Sequence, residues 1–172
     1  MRNGIEHPLF PSHDQQRIEI APFNLNELIK GILNNGDIWV ATRRERKDVQ
    51  FHFSPEQLII LEADQKKIRS VIFNLVNNAI KFGANNVWIT TEIVGINIVI
   101  SVKDDGIGID KRYLKAIFER LFQIEGVMNR KYEGSGVGLA VVKELIQLHD
   151  GAVVVKSKLG EGSMFTITIP GG

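Results

Sequence analysis

The segment Asp64–Phe82 constrains this chain more than any other. Ile68, Ile72, Leu75, Val76 and Ala79 recur at helical spacing, with polar residues filling the positions between them. Asp64 stands where a helix N-cap is needed, its carboxylate able to accept a first-turn N–H. A helix with one apolar stripe is marginal in water on its own, so the stripe must be buried against another layer.

The remaining pattern supplies that layer. Val87–Ile93 and Ile96–Val102 read as two strands joined at Gly95, and Ala152–Ser157 and Ser163–Ile169 as two more, turning at Leu159–Gly162. Arg17–Ile20 alternates as a short strand would. Val49, Phe51 and Phe53 alternate before Pro55, and with Leu58–Leu61 they predict a hairpin. Asn24 is placed to cap a helix carrying Leu25, Leu28, Ile29 and Ile32; beyond Gly36 the helical signal weakens toward Lys47. Asp110 is placed to cap a short helix through Leu114, Ile117 and Phe118. A further helix runs from Gly136 to His149 and ends at Asp150-Gly151, in the manner of a glycine C-cap. Helices alternating with hairpins predict an α+β fold: a two-layer α/β sandwich, with a mixed, mostly antiparallel sheet and helices packed on one face. The β-α alternation of a doubly wound fold is missing.

At 172 residues the chain suffices for one domain with a proper core. Residues 1–16, with Pro8, Pro11 and no sustained period, read as a disordered tail or cloning remnant, and 17–172 as the domain. A net charge of +1 gives no reason to expect nucleic acid or an acidic membrane as partner. The mixed run Arg43–Asp48 reads as a solvated helix end, and Trp39 and Trp88 are expected in or near the core. Cysteine is absent, which excludes disulfides and thiolate metal sites and fits a cytoplasmic location. Apolar runs such as Ile96–Val102 are too short to span a bilayer.

Three constellations carry chemistry. On the Asp64 helix, Asn74, Asn78 and Lys81 share one face. Such a stripe can hold a hydrated magnesium and the phosphates around it, or can simply be the solvated side of an amphipathic helix. Asp104-Asp105-Gly106-Ile107-Gly108 follows a strand. Its glycines let backbone approach a flat ligand, and a carboxylate there can accept from an amino group; a plain glycine turn reads the same way. Calcium-loop spacing is missing. Gly134-Ser135-Gly136-Val137-Gly138-Leu139 opens a helix, offering N–H groups and a positive dipole end to phosphate, or only a tight turn. It is neither a Walker A loop nor a dinucleotide fingerprint.

In this order and at these distances, the three segments resemble the N box and the two glycine boxes of the GHKL superfamily of ATP-binding domains, most closely those of sensor histidine kinases. Ile117-Phe118-Glu119-Arg120-Leu121-Phe122 is similar to the histidine-kinase F box. Leu148-His149-Asp150-Gly151 and Gly160-Glu161-Gly162-Ser163-Met164-Phe165 are similar to the closing strands. The resemblance covers Arg17–Pro170. It implies an ATP pocket between helices under a mobile lid, with Asn78 ligating Mg2+ and Asn74 beside it. It further implies that Lys81 contacts phosphate, Phe82 lines the adenine side and Asp104 accepts from the adenine amino group. Gly106 and Gly108 would let the base approach. Gly134, Ser135, Gly136, Val137, Gly138 and Leu139 would form the lid hinge and phosphate cradle, with Arg130 reaching phosphate from the lid.

Two residues depart from the family pattern: Gln123 stands where many relatives carry arginine near the terminal phosphate, and Leu121 replaces an F-box aromatic. Asn74 occupies the place of the glutamate that activates water in gyrase-like relatives. A neutral amide cannot take a proton at useful pH, so hydrolysis lacks its base, while transfer to a histidine needs none here. No acceptor histidine is recognised: His7 and His13 lack its context, and His52 and His149 read as ordinary structural or surface residues. The resemblance therefore implies ATP/ADP as ligand, a separate dimerisation and phosphotransfer domain as partner, a response regulator indirectly, and a monomer in isolation. A nucleotide sensor without transfer, favoured by Gln123, and an anti-sigma-factor-type serine kinase are the alternatives.

Overall fold

The structure is a computed structural model that describes residues 17–34, 38, 48–120 and 138–171. Its elements run β1 Ala21–Asn24, α1 Leu25–Leu33, β2 Gln50–Phe53, β3 Ile60–Ala63, α2 Gln65–Lys81, β4 Asn86–Val94 and β5 Asn97–Asp104. Two single 3-10 turns follow, Lys111–Tyr113 and Ala116–Phe118, then α3 Gly138–Gln147, β6 Ala152–Lys158 and β7 Gly162–Pro170. Five strands form one sheet in the order β2-β4-β5-β7-β6, antiparallel except for the parallel pair β2–β4. β1 and β3 form a separate antiparallel ribbon.

Strand alternation sorts the sheet into two faces. Ile89, Val102 and Phe165 are register partners in one cross-strand row, and Ile100 and Ile167 in the next; all five are buried. They join the apolar faces of α1 and α2, and Val142 and Ile146 of α3, in a single core. His52, Lys103 and Lys156 alternate onto the opposite, exposed face. The helices thus lie on one side of the sheet, as the sequence predicts.

The predicted caps at Asn24 and Asp64 form. Asn24 Oδ1 accepts from Glu27 N at 3.1 Å and Asp64 Oδ1 from Lys67 N at 3.1 Å. The buried residues of α2 include Ile68, Ile72, Leu75, Val76 and Ala79, the stripe read from the sequence.

Other expectations need correction. The first strand is Ala21–Asn24, not Arg17–Ile20; Glu19 N instead donates to Asp64 Oδ2 at 3.0 Å, so a side chain takes the place of a ladder. β2 alternates as expected, but the second strand is Ile60–Ala63 rather than Leu58–Leu61, and the two do not form a hairpin. β2 pairs with β4 and β3 with β1, and Leu25 N donating to Ile59 O at 3.0 Å draws the connecting loop toward α1. The helix after Asp110 is two 3-10 turns, although Asp110 Oδ1 does accept from Arg112 N at 2.9 Å. At the end of α3 the left-handed residue is Asp150, with φ of 54°, not the glycine. Gly151 is needed for space, since a Cβ there would lie 2.6 Å from Thr168 O. Trp88 is half-buried on the outer face, where it stacks on His52. Trp39 and the charge run 43–47 lie outside the described residues.

Candidate functional site

The site begins at the end of β5. Asp104 follows the inward alternation of Val102 and is only 7% exposed. Its Oδ1 accepts from Gly106 N at 2.8 Å, a short turn that fixes the carboxylate against the backbone. Burial pushes this carboxyl above its ordinary value, and the charge of Asp105 pushes the same way, against backbone hydrogen bonds from Gly106 and Ser163. A buried acceptor held in this way suits recognition of an amino group.

The turn after Asp104 is threaded between two backbones. Ile107 N donates to Phe82 O at 3.0 Å, and Gly160 N to Ile107 O at 2.7 Å. A Cβ on Gly106 would lie 2.6 Å from Phe82 O. At Gly108, with φ of 70°, a Cβ would fall 2.1 Å from Lys158 O. The space saved at Gly108 is therefore filled by the β6–β7 turn, a role different from the expected approach to a base. Ile109 N completes the anchorage by donating to Ser157 Oγ at 2.8 Å.

The second wall is α2. Asn74, Asn78 and Lys81 are half-buried on its flank, and the helix ends where Phe82 N donates to Asn78 O at 3.0 Å. Asn74 Nδ2 donates to Ser70 O at 2.8 Å, which fixes the amide's orientation. Its Oδ1 faces Gly138, where a Cβ would sit 3.1 Å away. The first and third constellations therefore meet at the start of α3, and the first and second meet at Phe82. Leu139 packs against the core. Arg130, Gly134, Ser135, Gly136 and Val137 lie outside the described residues, as do Leu121 and Gln123.

The Asn74–Asn78 stripe offers neutral amide oxygens to a cation. Among the described residues no group of three or more His, Cys, Asp or Glu could hold a metal ion. Amide oxygens of the Asn74–Asn78 stripe would complement waters and nucleotide phosphates in the coordination that magnesium prefers.

Three residues that the sequence shows only as parts of longer segments, His149 among them as an ordinary structural or surface residue, support the site. Asp105 accepts from Asn85 N at 2.7 Å and Asn86 N at 2.8 Å, tying the turn after β5 to the start of β4. Gly162, with φ of 90°, admits the carbonyl of Asp104, which a Cβ would meet at 2.0 Å. His149, buried at the end of α3, accepts from Asp64 N at 3.0 Å through Nε2 and pairs with Leu145 O at 2.7 Å through Nδ1. For the first, strand alternation carries the signal: in the pair Asp104-Asp105 it sends one carboxylate in and the next out.

A buried aspartate with its glycine turn, an asparagine stripe and a helix opened by glycine thus meet around Phe82 and Gly138 in one α+β domain. The family described as histidine kinase-, DNA gyrase B- and HSP90-like ATPases matches residues 63–172. The circadian input-output histidine kinase CikA of Synechococcus elongatus is 30% identical over 158 residues, covering 89% of this chain and 20% of CikA. The sensor histidine kinase WalK of Bacillus subtilis is 36% identical over 121 residues, covering 67% of this chain and 20% of WalK. Full-length ShkA, solved in complex with AMPPNP, superposes with a TM-score of 0.75 at 26% identity over 91% of this chain and 32% of that one. The chain belongs to this ATPase family, as an ATP-binding domain of the sensor histidine kinase type. It spans about a fifth of the length of the curated relatives it matches. Among the described residues no helix is long and apolar enough to cross a membrane.

Proposed function

We propose that this chain is the catalytic domain of a two-component sensor histidine kinase, binding ATP with Mg2+ and transferring the γ-phosphate to a histidine on a separate dimerisation domain. The observation that carries this reading is Asn74, an amide where a water-activating carboxylate would stand, set against Gly138 at the start of α3. Phosphoryl transfer depends on positioning and charge stabilisation, so a site without a general base still serves transfer while leaving water unactivated.

Asp104 accepts from the adenine amino group, and Phe82 lines the adenine side. Lys81 meets phosphate, and the helix start at Gly138 and Leu139 offers N–H groups to it. The glycine-rich segment Gly134–Val137 and Arg130 belong to the same cradle. Asn78, with Asn74 beside it, would hold the magnesium, which neutralises phosphate charge when bound. Residues 17–172 form the domain. The domain works in the cytoplasm as a monomer, and a response regulator receives the phosphate in turn.

The test is transfer in trans. Mixed with the helical module of its parent kinase and labelled Mg-ATP, the domain should place acid-labile phosphate on that module. ATP binding without any transfer would instead support a nucleotide sensor, and label on a small serine-bearing protein would support a serine kinase.

A further inference from the structure

Asp104 is the residue proposed to read the base, and its turn is tied to Phe82 directly, where Ile107 N donates to Phe82 O at 3.0 Å. Its neighbour adds a second tie, to the connection between α2 and β4. Asp105 Oδ1 accepts from Asn85 N at 2.7 Å and from Asn86 N at 2.8 Å, and Oδ2 accepts from Asn86 Nδ2 at 2.9 Å. In return Asp105 N donates to Asn86 O at 3.3 Å. Four hydrogen bonds thus join one residue of the glycine turn to the two residues that lead from α2 into β4. The connection continues outward, since His52 Nε2 lies 2.9 Å from Asn86 Oδ1. With the Asn86 amide nitrogen committed to a carboxylate, its oxygen can only accept, so His52 must be the donor. The His52 ring is held in turn by stacking on Trp88, with centroids 5.3 Å apart and planes 14° from parallel.

We infer that Asp105, held through Asn86 and His52, is a positioning residue that sets the Asp104 carboxylate at the distance from Phe82 and α2 that base recognition requires. None of the three needs to touch nucleotide. The hydrogen bonds have a signature in charge as well: burial opposes ionisation of Asp105, but the donors from Asn86 and Asn85 outweigh it and hold the carboxyl below its ordinary value. The outer end of the chain lies on the exposed face of the sheet, where His52 is accessible and Lys103 Nζ sits 5.6 Å from the Trp88 ring centroid. The inference rests on the reading of Asp104 as the acceptor from adenine, and the experiment separates the two.

The readout is discrimination between ATP and inosine triphosphate, which lacks the exocyclic amino group, measured by titrating the whole chain with each in the presence of magnesium. Wild type should prefer ATP. Asp104→Ala should abolish the preference; if it does not, the base reading itself fails. Asp105→Ala should weaken ATP by about tenfold or more and inosine triphosphate far less, so that the preference collapses although no ligand contact was removed. Asp105→Asn keeps an oxygen for the two backbone donors and should restore most of the preference. His52→Phe keeps the stack on Trp88 but cannot donate, and should lower the preference by a few-fold. If Asp105→Ala fails to fold, Asn86→Ala interrupts the same connection and should also lower it. A preference that survives Asp105→Ala or Asn86→Ala while Asp104→Ala destroys it overturns the inference. So does equal weakening of both nucleotides, which is the mark of a merely structural residue.

Discussion

Two glycines show how differently one residue type is used in this chain. Gly108 is confined by a positive φ of 70° and by Lys158 O, 2.1 Å from where a Cβ would be. Gly31, inside α1, has nothing within 4 Å of that point. Gly108→Ala should therefore destabilise the domain by more than about 2 kcal/mol, because both conformation and space forbid a side chain. Gly31→Ala should stabilise it by about 0.5–1 kcal/mol, since alanine removes helix entropy cost without a clash. Urea unfolding of the two variants checks both signs, and a stabilised Gly108→Ala would contradict the packing described. At this scale the sequence was informative about identity and silent about reason. The glycines after Asp104 were legible as a turn, but that Gly108 makes room for the β6–β7 turn emerges only in the fold. Likewise Asp64 was legible as a cap, whereas its carboxylate also receives Glu19 N, and its own N–H meets His149, 85 residues away.

Among the elements, α2 and the β4–β5 pair were readable because their signals are local: a capped apolar stripe and two alternating runs around Gly95. The partners of β2 and β3 were not, because alternation says which face a side chain takes and nothing about which strand lies alongside. A parallel pairing of Phe51 with Val87 leaves no mark in neighbouring residues. The N-terminus of α2 makes its own prediction. Burial opposes ionisation of Asp64, but hydrogen bonds from Glu19, Lys67 and Lys66 and the Lys67 charge prevail, so its carboxyl titrates below the ordinary 3.8. A depressed carboxyl contributes stability above its unfolded value and loses it as pH falls through the lower, folded one. Asp64→Asn should thus be less stable than wild type by about 1–3 kcal/mol near neutrality, with the gap narrowing below the ordinary 3.8. Urea midpoints across that range test it; a gap that widens on acidification would be the wrong sign.

For the molecule as a whole, the sheet serves to bring together pieces that the chain separates widely. Asn74 lies on α2, Asp104 at the end of β5 and Gly138 at the start of α3; Gly138 meets Asn74 directly, and the Asp104 turn meets α2 through Phe82. The sequence revealed the three segments and their order. Their junctions at Phe82 and Gly138 are products of the fold, and Gly136, expected in the phosphate cradle, lies outside the described residues. The central claim is that these junctions enclose one nucleotide site. Calorimetric titration of the chain with ATP and magnesium, comparing wild type with Asn78→Ala and Asp104→Ala, tests it most directly. Saturable binding in wild type, weakened at least about tenfold by each substitution in a chain that still unfolds cooperatively, is the predicted result. Wild-type affinity in either variant would remove that residue from the site and contradict the account.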